Sequence, residues 1–194
     1  MIKSRKDLHF YLKEDGVRNG INTEGIKNYF KYLVCLIIGY ENACAFRYIK
    51  CMRYFEYHSN SKHNIIHNAL ALFYKIKLFR LGRKYNISIQ PNTCGFGLRI
   101  MHLSGGGGIL LNVKKIGNYC GFNSGVLIGN KDGQENRPII GNHVAFGPGA
   151  KAFGNIIIGD SVFVAPNAVV TKDIQDNCIV GGIPARIIKN NKNE

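Results

Sequence analysis

Two histidines in the second half of the chain, His102 and His143, are the side chains best suited to acid–base chemistry. A neutral imidazole can take a proton from a hydroxyl group near neutral pH. His102 precedes a glycine-rich run, Ser104–Gly108, which makes the backbone beside it conformationally permissive. His143 follows the turn-forming pair Gly141-Asn142, so we expect it to be exposed and structural, and it remains the second candidate base.

Two other patterns in the sequence lack residues that the corresponding sites require. A phosphate-binding loop needs a Lys-Ser or Lys-Thr pair after its glycines, and none follows Gly108. A zinc site needs about three imidazoles on neighbouring segments, whereas the second half of the chain has only His102 and His143. The remaining histidines near one turn are loosely spaced: His58, His63 and His67. We therefore predict no metal site.

The elements that position His102 follow from a six-residue period. One apolar series opens successive units: Ile140, Phe146, Ala152, Ile158, Val164 and Val170. A second series of small or β-branched residues lies four places further on: Val144, Ala150, Ile156, Val162, Ala168 and Ile174. A period of six fits neither a plain strand nor a helix. It is typical of a parallel β-helix whose stacked coils bury a continuous core.

This period divides the chain into two predicted regions. Residues 86–194 are expected to form the β-helix, and residues 1–85 a basic α-helical N-terminal region, so the fold class is mainly β. A hydrophilic excursion at residues 130–138 interrupts the repeat and leaves its frame in phase. A loop of this kind on a rigid solenoid is a common place for function.

Helical periodicity begins at Ile26 and resumes near Asn64 after a polar break. In the second stretch, one apolar stripe is expected to face the core: Ile65, Ala69, Leu72, Ile76 and Phe79. Residues before Gly25 lack periodicity, which predicts a weakly ordered arm or one short helix.

The formal net charge of +14 is concentrated in the predicted helices, with about ten of those charges before Asn86. Such a field suits a membrane surface, a phosphate-bearing substrate, an acidic carrier protein or nucleic acid. Basic residues mixed with aromatic ones are typical of a helix lying on anionic lipid, and a solvated basic cap on the β-helix is the alternative. We do not predict nucleic-acid binding, because no docking motif is present.

Six cysteines without a C-x-x-C pair predict reduced thiols and a cytoplasmic protein. The first twenty residues lack the apolar segment of a secretory signal. The apolar stretch YLVCLIIGY is too short to cross a bilayer. Peripheral contact with the inner face of a membrane stays open.

The span from Ile87 to Lys189 resembles the left-handed β-helix of the serine acetyltransferase family, and within it the subset associated with capsule and surface-polysaccharide synthesis. The resemblance rests on GLRIMHLSGG around His102, on GPGAKAFGNIIIG and on the closing GGIPARIIK. It implies direct transfer of an acetyl group from acetyl-CoA to a hydroxyl, with His102 as general base and no metal. It also implies a homotrimer with active sites in the clefts between prisms.

The resemblance further implies that the donor lies along a groove between two prisms. Its pantetheine would be held mainly by backbone groups at three matching pairs: Gly129 and Asn130, Gly147 and Pro148, Ala165 and Pro166. Pro148 and Pro166 have no N–H, so any contact there would use a carbonyl or a neighbour. Cations that could meet the nucleotide phosphates follow towards the end of the chain: Lys172, Arg186 and Lys189.

Three differences separate the chain from members that act on serine. Ser88 and Met101 stand where such members have acids, and Asn136-Arg137 replaces an Arg-His pair that holds serine ahead of a proline. A site that lacks its partners for a zwitterion rejects that zwitterion by a large factor. We therefore expect Asn136 and Arg137 to contact a saccharide acceptor.

The favoured function is a saccharide O-acetyltransferase of surface or capsular polysaccharide biosynthesis. The nearest alternative is a serine O-acetyltransferase of cysteine biosynthesis. An acyl carrier protein could replace CoA as donor, given the basic charge of the chain. The alternative of another class is a non-catalytic hexapeptide-repeat scaffold that binds a partner through its basic helices.

Overall fold

The structure is a computed structural model that describes residues 1–62, 64–133 and 135–190. The chain begins with helices: α1 (Arg5–Arg18), α2 (Ile26–Ile37), α3 (Glu41–Asn60) and α4 (Ile65–Tyr85). Among the described residues, none of the helices combines the length and apolar character needed to cross a bilayer.

Helix α1 forms because its first turn is capped. The Ser4 hydroxyl accepts a hydrogen bond from the N–H of Asp7, and the Asp7 carboxylate accepts one from the N–H of Ser4. Leu8 and Asp15 on the same helix are buried. The segment predicted to be an arm or one short helix is therefore a packed helix of 14 residues.

Arg53 of α3 joins the helices to the start of the β-helix. This side chain is fully buried, and it donates to the carboxylates of Asp15 at 2.8 Å and Glu56 at 3.0 Å. It also donates to the carbonyls of Cys94 at 3.0 Å and Gly95 at 2.6 Å. Burial raises the pKa of Asp15, and the adjacent guanidinium opposes that rise. A buried ionic network thus connects α1, α3 and the first coil.

The buried side of α4 is not the one predicted. Leu78 and Leu81 are buried, where α4 packs on α3 and the first strand. The expected stripe is exposed instead: Ile65, Ala69, Leu72, Ile76 and Phe79. The prediction was wrong because α4 uses a narrow contact side and leaves its larger apolar side uncovered in the described chain.

The β-helix follows α4 directly, through Asn86 in a left-handed conformation. Its strands are β1 (Ile87–Ile89), β2 (Arg99–Ile100), β3 (Ile109–Leu111), β4 (Lys115–Ile116), β5 (Gly121–Phe122), β6 (Leu127–Gly129), β7 (Ile139–Ile140), β8 (Ala145–Phe146), β9 (Lys151–Phe153), β10 (Ile157–Ile158), β11 (Phe163–Val164), β12 (Val169–Val170), β13 (Cys178–Gly181) and β14 (Arg186–Asn190).

These strands form three sheets. Sheet A has the order β1-β3-β6-β9-β12, sheet B has β10-β7-β4, and sheet C has β14-β13-β11-β8-β5-β2. The pairs are parallel, apart from the antiparallel pair of β13 with β14. The chain visits the sheets in rotation, so the predicted parallel β-helix is confirmed.

The core of the prism consists of the two six-residue series. Every member of both series is buried. Phe122 and Phe146 are in register on β5 and β8, and their rings stack with centroids 5.5 Å apart. One inward residue per strand and one per turn therefore explain the period of six.

Candidate active site

His102 lies on the edge of the prism where the chain turns from sheet C to sheet A. It follows β2 and is the N-cap of a short 3-10 helix, Leu103–Gly105. Its φ of 57° and ψ of 51° are left-handed, and its side chain is exposed. Asn167 has the same conformation further along this edge. The conformation is thus a property of the coil, and it presents the His102 imidazole to solvent.

The glycine run after His102 is explained by close packing. A Cβ on Gly107 would lie 2.5 Å from the backbone of the next coil, and a Cβ on Gly105 would collide with a side chain of that coil. Gly106 has a φ of 78° and faces open space. The run therefore presents bare backbone beside the imidazole, which allows a thioester to approach closely.

A carboxylate from the helices reaches this loop. Glu41, the first residue of α3, accepts hydrogen bonds from the Ser104 N–H at 2.8 Å and from the Ser104 hydroxyl. These bonds lower the pKa of Glu41, and the nearby charge of His102 adds to the effect. An ionised carboxylate therefore lies close to His102. No motif or spacing in the sequence relates Glu41 to the glycine run, so this carboxylate was not predicted.

The two positions where acids were missing from the sequence lie on different sheets. Ser88 is exposed on sheet A opposite Leu110. Met101 is half-buried, and its Cε lies over Gly121 of sheet C. Neither position supplies a carboxylate, and Glu41 is hydrogen-bonded to the loop two residues after His102.

Part of the predicted donor site lies along the same edge as His102, and this edge is called the His102 edge. The N–H of Asn167 donates to the Pro148 carbonyl at 2.9 Å, so the pairs Gly147-Pro148 and Ala165-Pro166 occupy successive coils. Arg186 begins β14, which pairs with the C-terminal end of β13 at this edge. One edge therefore carries an imidazole, bare backbone and a terminal cation.

Hydrogen bonds between coils limit what this edge can offer a ligand. The N–H of Gly147 donates to the Val164 carbonyl at 2.8 Å, and the N–H of Ala165 donates to the Val180 carbonyl at 2.8 Å. Proline has no N–H to donate. These corners can therefore contact a ligand through carbonyl oxygens and apolar surface.

The other predicted residues lie on the edge between sheets A and B. Gly129 ends β6 there and Asn130 follows it, and the Asn130 side chain accepts from Asn112 at 3.1 Å. Arg137 donates to the Gln90 side chain at 2.6 Å, and its Nε is buried without a partner among the described residues. This edge is called the Arg137 edge, and Lys172 lies on it after β12.

Two further predicted residues complete the placement. The Asn136 amide donates to the Asp132 carbonyl at 3.1 Å, within the excursion, of which residue 134 lies outside the described residues. Lys189 pairs with Ile179, away from the end of β14 that carries Arg186. Within one chain, the predicted residues other than Lys189 therefore divide between two edges of the prism, and Lys189 lies on sheet C.

His143 lies on the third edge, between sheets B and C. Its ring stacks on Tyr119 with centroids 5.2 Å apart, and the Tyr119 hydroxyl donates to Glu14 at 2.8 Å. Hydrogen bonds from Asn142 lower the pKa of Asp160, with a smaller contribution from the charge of His143. These contacts are those of a packing residue.

Two of the histidines near the turn between α3 and α4 approach each other. His58 and His67 approach each other at 2.9 Å between their Nδ1 atoms, while His63 lies outside the described residues. In residues 1–62, 64–133 and 135–190, no group of three or more His, Cys, Asp or Glu is placed to hold a metal ion.

An apolar groove of about 790 Å³ extends from the glycine run between sheet A and α4. Gly107 and Gly108 border one end, Ser88 and Leu110 belong to its prism side, and Arg83 of α4 belongs to the other. His102 itself is outside this lining. The size is that of a small-molecule site, adjacent to the His102 edge.

Comparison with known sequences identifies serine acetyltransferases as relatives. The chain is 36% identical over 105 residues to the enzyme of Synechococcus elongatus, covering 53% of this chain and 42% of the relative. It is 35% identical over 105 residues to that of Helicobacter pylori, covering 53% of this chain and 60% of the relative. The chain thus spans about half the length of these curated relatives. No family model matches it.

Solved structures share the fold over nearly the whole chain. Soybean serine acetyltransferase superimposes with a TM-score of 0.70 at 22% identity, over 94% of this chain and 69% of that one. The Brucella abortus serine acetyltransferase in complex with coenzyme A gives 0.68 at 22% identity, over 96% and 69%. At this identity, the likeness establishes the fold alone.

The fold defines a class of protein, and the sequence relates the chain to one group within it. Its helices and three-sheet prism define a hexapeptide-repeat β-helix protein with N-terminal helices. Within that class, about half of its sequence is related to the serine acetyltransferases, with 105 residues matched in each relative cited. The comparisons do not single out the capsule subset.

Proposed function

We propose that the chain is an acetyl-CoA-dependent O-acetyltransferase in which His102 is the general base. The observation that carries this proposal is the exposed imidazole beside bare glycine backbone, with the ionised carboxylate of Glu41 next to it. The names of its relatives and the coenzyme A complex of a similar structure support the same chemistry.

In the proposed reaction, neutral His102 accepts the proton of an acceptor hydroxyl while that oxygen attacks the thioester carbonyl. N–H groups of the glycine run stabilise the resulting oxyanion. Collapse of the tetrahedral intermediate breaks the carbon–sulfur bond, and the imidazolium returns the proton to the CoA sulfur. Glu41 stabilises the imidazolium by its charge and fixes Ser104 by its hydrogen bonds.

The donor would lie along the His102 edge, with carbonyl oxygens of the Pro148 and Pro166 corners facing the pantetheine and Arg186 facing phosphate. Gly129, Asn130 and Lys172 lie on the Arg137 edge, so they reach this donor only from a neighbouring copy. A closed threefold assembly satisfies that requirement, because it apposes different edges of adjacent prisms. Light scattering should therefore give the mass of three chains, and a monomer at working concentration would contradict this assembly.

The acceptor has two candidates. Serine is favoured by the relatives, all of those cited being named serine acetyltransferases. A saccharide hydroxyl, the acceptor expected from the sequence, is favoured by the neutral residues Ser88 and Met101 and by Asn136-Arg137. Glu41 weakens that second argument, because it restores a carboxylate near His102.

Release of CoA thiol separates these candidates. The protein is incubated with acetyl-CoA and, separately, serine, nucleotide-linked sugars and lipid-linked sugars. Turnover with serine alone assigns the first acceptor, and turnover with a sugar alone assigns the second. If the chain neither binds acetyl-CoA at millimolar concentration nor releases thiol with any acceptor, the scaffold alternative replaces the enzyme.

The role of His102 is tested by substitution. His102→Ala should lower kcat by roughly 10²–10⁴-fold, since general-base catalysis contributes about that much. The fold should persist, because this side chain is exposed and outside the core. His143→Ala is the matched control and should retain activity. An inactive His143 variant beside an active His102 variant would refute the assignment.

A further inference from the structure

Helices α2 and α4 leave an unusually apolar surface exposed, called here the α2–α4 surface. Ile26 is 93% exposed, Ile37 84% and Ile65 85%. Further exposed apolar residues on the two helices are Phe30, Leu33, Val34, Ile66, Leu72, Phe73, Ile76 and Phe79. Large contiguous apolar patches on a soluble chain mark a site of interaction.

The same two helices carry only positive charge. Their ionisable Lys and Arg residues are Lys27, Lys31, Lys75, Lys77, Arg80, Arg83 and Lys84, and neither helix contains Asp or Glu. The salt bridges seen in the described part of the chain involve Lys13 and Arg53, not these cations. The α2–α4 surface is therefore apolar, and its positive charges form no salt bridges within the described part of the chain.

A groove joins the two helices across α3. It has a volume of about 730 Å³, and its lining combines aromatic and aliphatic residues with Arg47, Lys50 and Lys77. The Lys50 ammonium lies 5.2 Å from the ring centre of Tyr29, and that of Lys77 lies 5.7 Å from the ring centre of Phe73. Burial lowers the pKa of Lys50, and the charge of Lys77 adds to the effect. An anionic group bound in this groove would offset both the burial of the Lys50 charge and its repulsion by Lys77.

The charge and the apolar character of the α2–α4 surface together favour one kind of binding partner. A second copy of the chain docked through the same surface would bring like charges together, which is unfavourable. Nucleic acid would match the charge but not the exposed isoleucine and phenylalanine side chains. An anionic lipid bilayer offers both phosphate groups and an apolar boundary, and helices with this composition lie in its interface.

We propose that the α2–α4 surface docks the protein on an anionic phospholipid bilayer. Apolar side chains such as Phe30 and Ile37 enter the acyl boundary, and a lipid phosphate occupies the groove between Lys50 and Lys77. This binding is independent of the proposed acetyl transfer.

The test is co-sedimentation of the full chain with vesicles. Vesicles of phosphatidylglycerol mixed with phosphatidylcholine are compared with vesicles of phosphatidylcholine alone, at low and high salt. We expect binding to the mixed vesicles that weakens as salt rises, because exposed charges are screened. Absence of binding at low salt, or equal binding to both vesicles, would overturn the proposal.

Matched variants locate the contact. Lys50→Gln with Lys77→Gln should weaken binding to mixed vesicles about 30-fold, from about one kcal/mol for each cation near the surface. Phe30→Ser with Ile37→Ser should weaken it without changing the net charge. The control, Lys114→Gln with Lys115→Gln, removes two exposed cations from the β-helix. Equal loss in the control would show attraction by net charge alone and would refute the surface. Retained vesicle binding in both test variants would refute it as well.

Discussion

Replacement of Arg53 by methionine should be the most damaging single change in the helical region. The variant leaves Asp15 and Glu56 buried without their cation and frees the carbonyls of Cys94 and Gly95 from their donors. Breaking a buried ion pair costs about 3–5 kcal/mol of unfolding free energy, and two carboxylates with two carbonyls place Arg53→Met at the upper end. Lys13→Met breaks an exposed pair at 3.4 Å and should cost about 1 kcal/mol or less.

The pH dependence of the unfolding free energy tests whether the unpaired carboxylates cause the loss of stability. Burial already raises the pKa of Asp15, and loss of the guanidinium should raise it further. A raised folded-state pKa means that the associated stability is present in acid and is lost as pH rises through that pKa. The deficit of Arg53→Met, measured by urea unfolding, should therefore grow as the pH rises through the raised pKa of Asp15. Adding Asp15→Asn should remove most of this growth. A deficit below about 1 kcal/mol, or one independent of pH, would refute the reasoning.

Two further predictions concern the site and the core. Glu41→Ala should lower kcat about tenfold or more with little change in the KM for acetyl-CoA, because the Ser104 loop loses its acceptor and the imidazolium loses a nearby negative charge. Glu41→Gln should restore only the part of the rate that depends on Ser104, because its amide oxygen accepts a hydrogen bond but carries no charge. Loss of rate in the exposed control Glu24→Ala would contradict this role. Phe146→Ala should lower the unfolding free energy by about 3–5 kcal/mol in denaturant titration, because the ring is fully buried against Phe122. An equal loss in Phe163→Ala, whose side chain is 40% exposed, would refute that account.

The β-helix could be predicted because its pattern is local and repeated. Each residue of the two series, which begin at Ile140 and at Val144, is buried, and the glycine-containing corners lie where the period places them. A repeat that stacks on its own copies needs no information from distant segments. The same argument explains why the excursion left the frame unchanged between Ile128 and Ile140.

The helices were predicted less well, because amphipathic patterning assumes that the apolar side faces the protein's own core. Leu72 and Phe79 of α4 follow that pattern and are nevertheless exposed, while Leu78 and Leu81 make the contact. Periodicity located the helix correctly and assigned its sides wrongly. The positive charge of α4 was the feature of the sequence that distinguishes this side from one that faces a core, and this side belongs to the proposed lipid-docking surface.

The environment of His102 could be predicted only in part from the sequence. The glycine run and its histidine lie together in the chain, so their proximity was predictable. Glu41 lies 63 positions before Ser104, and its approach depends on how α3 sits on the first coil. Arg53 fixes that seating from the middle of α3, through the carbonyls of Cys94 and Gly95. The helices are thus more than a cap in the proposed enzyme, because they bring the carboxylate to an edge whose own coils provide none.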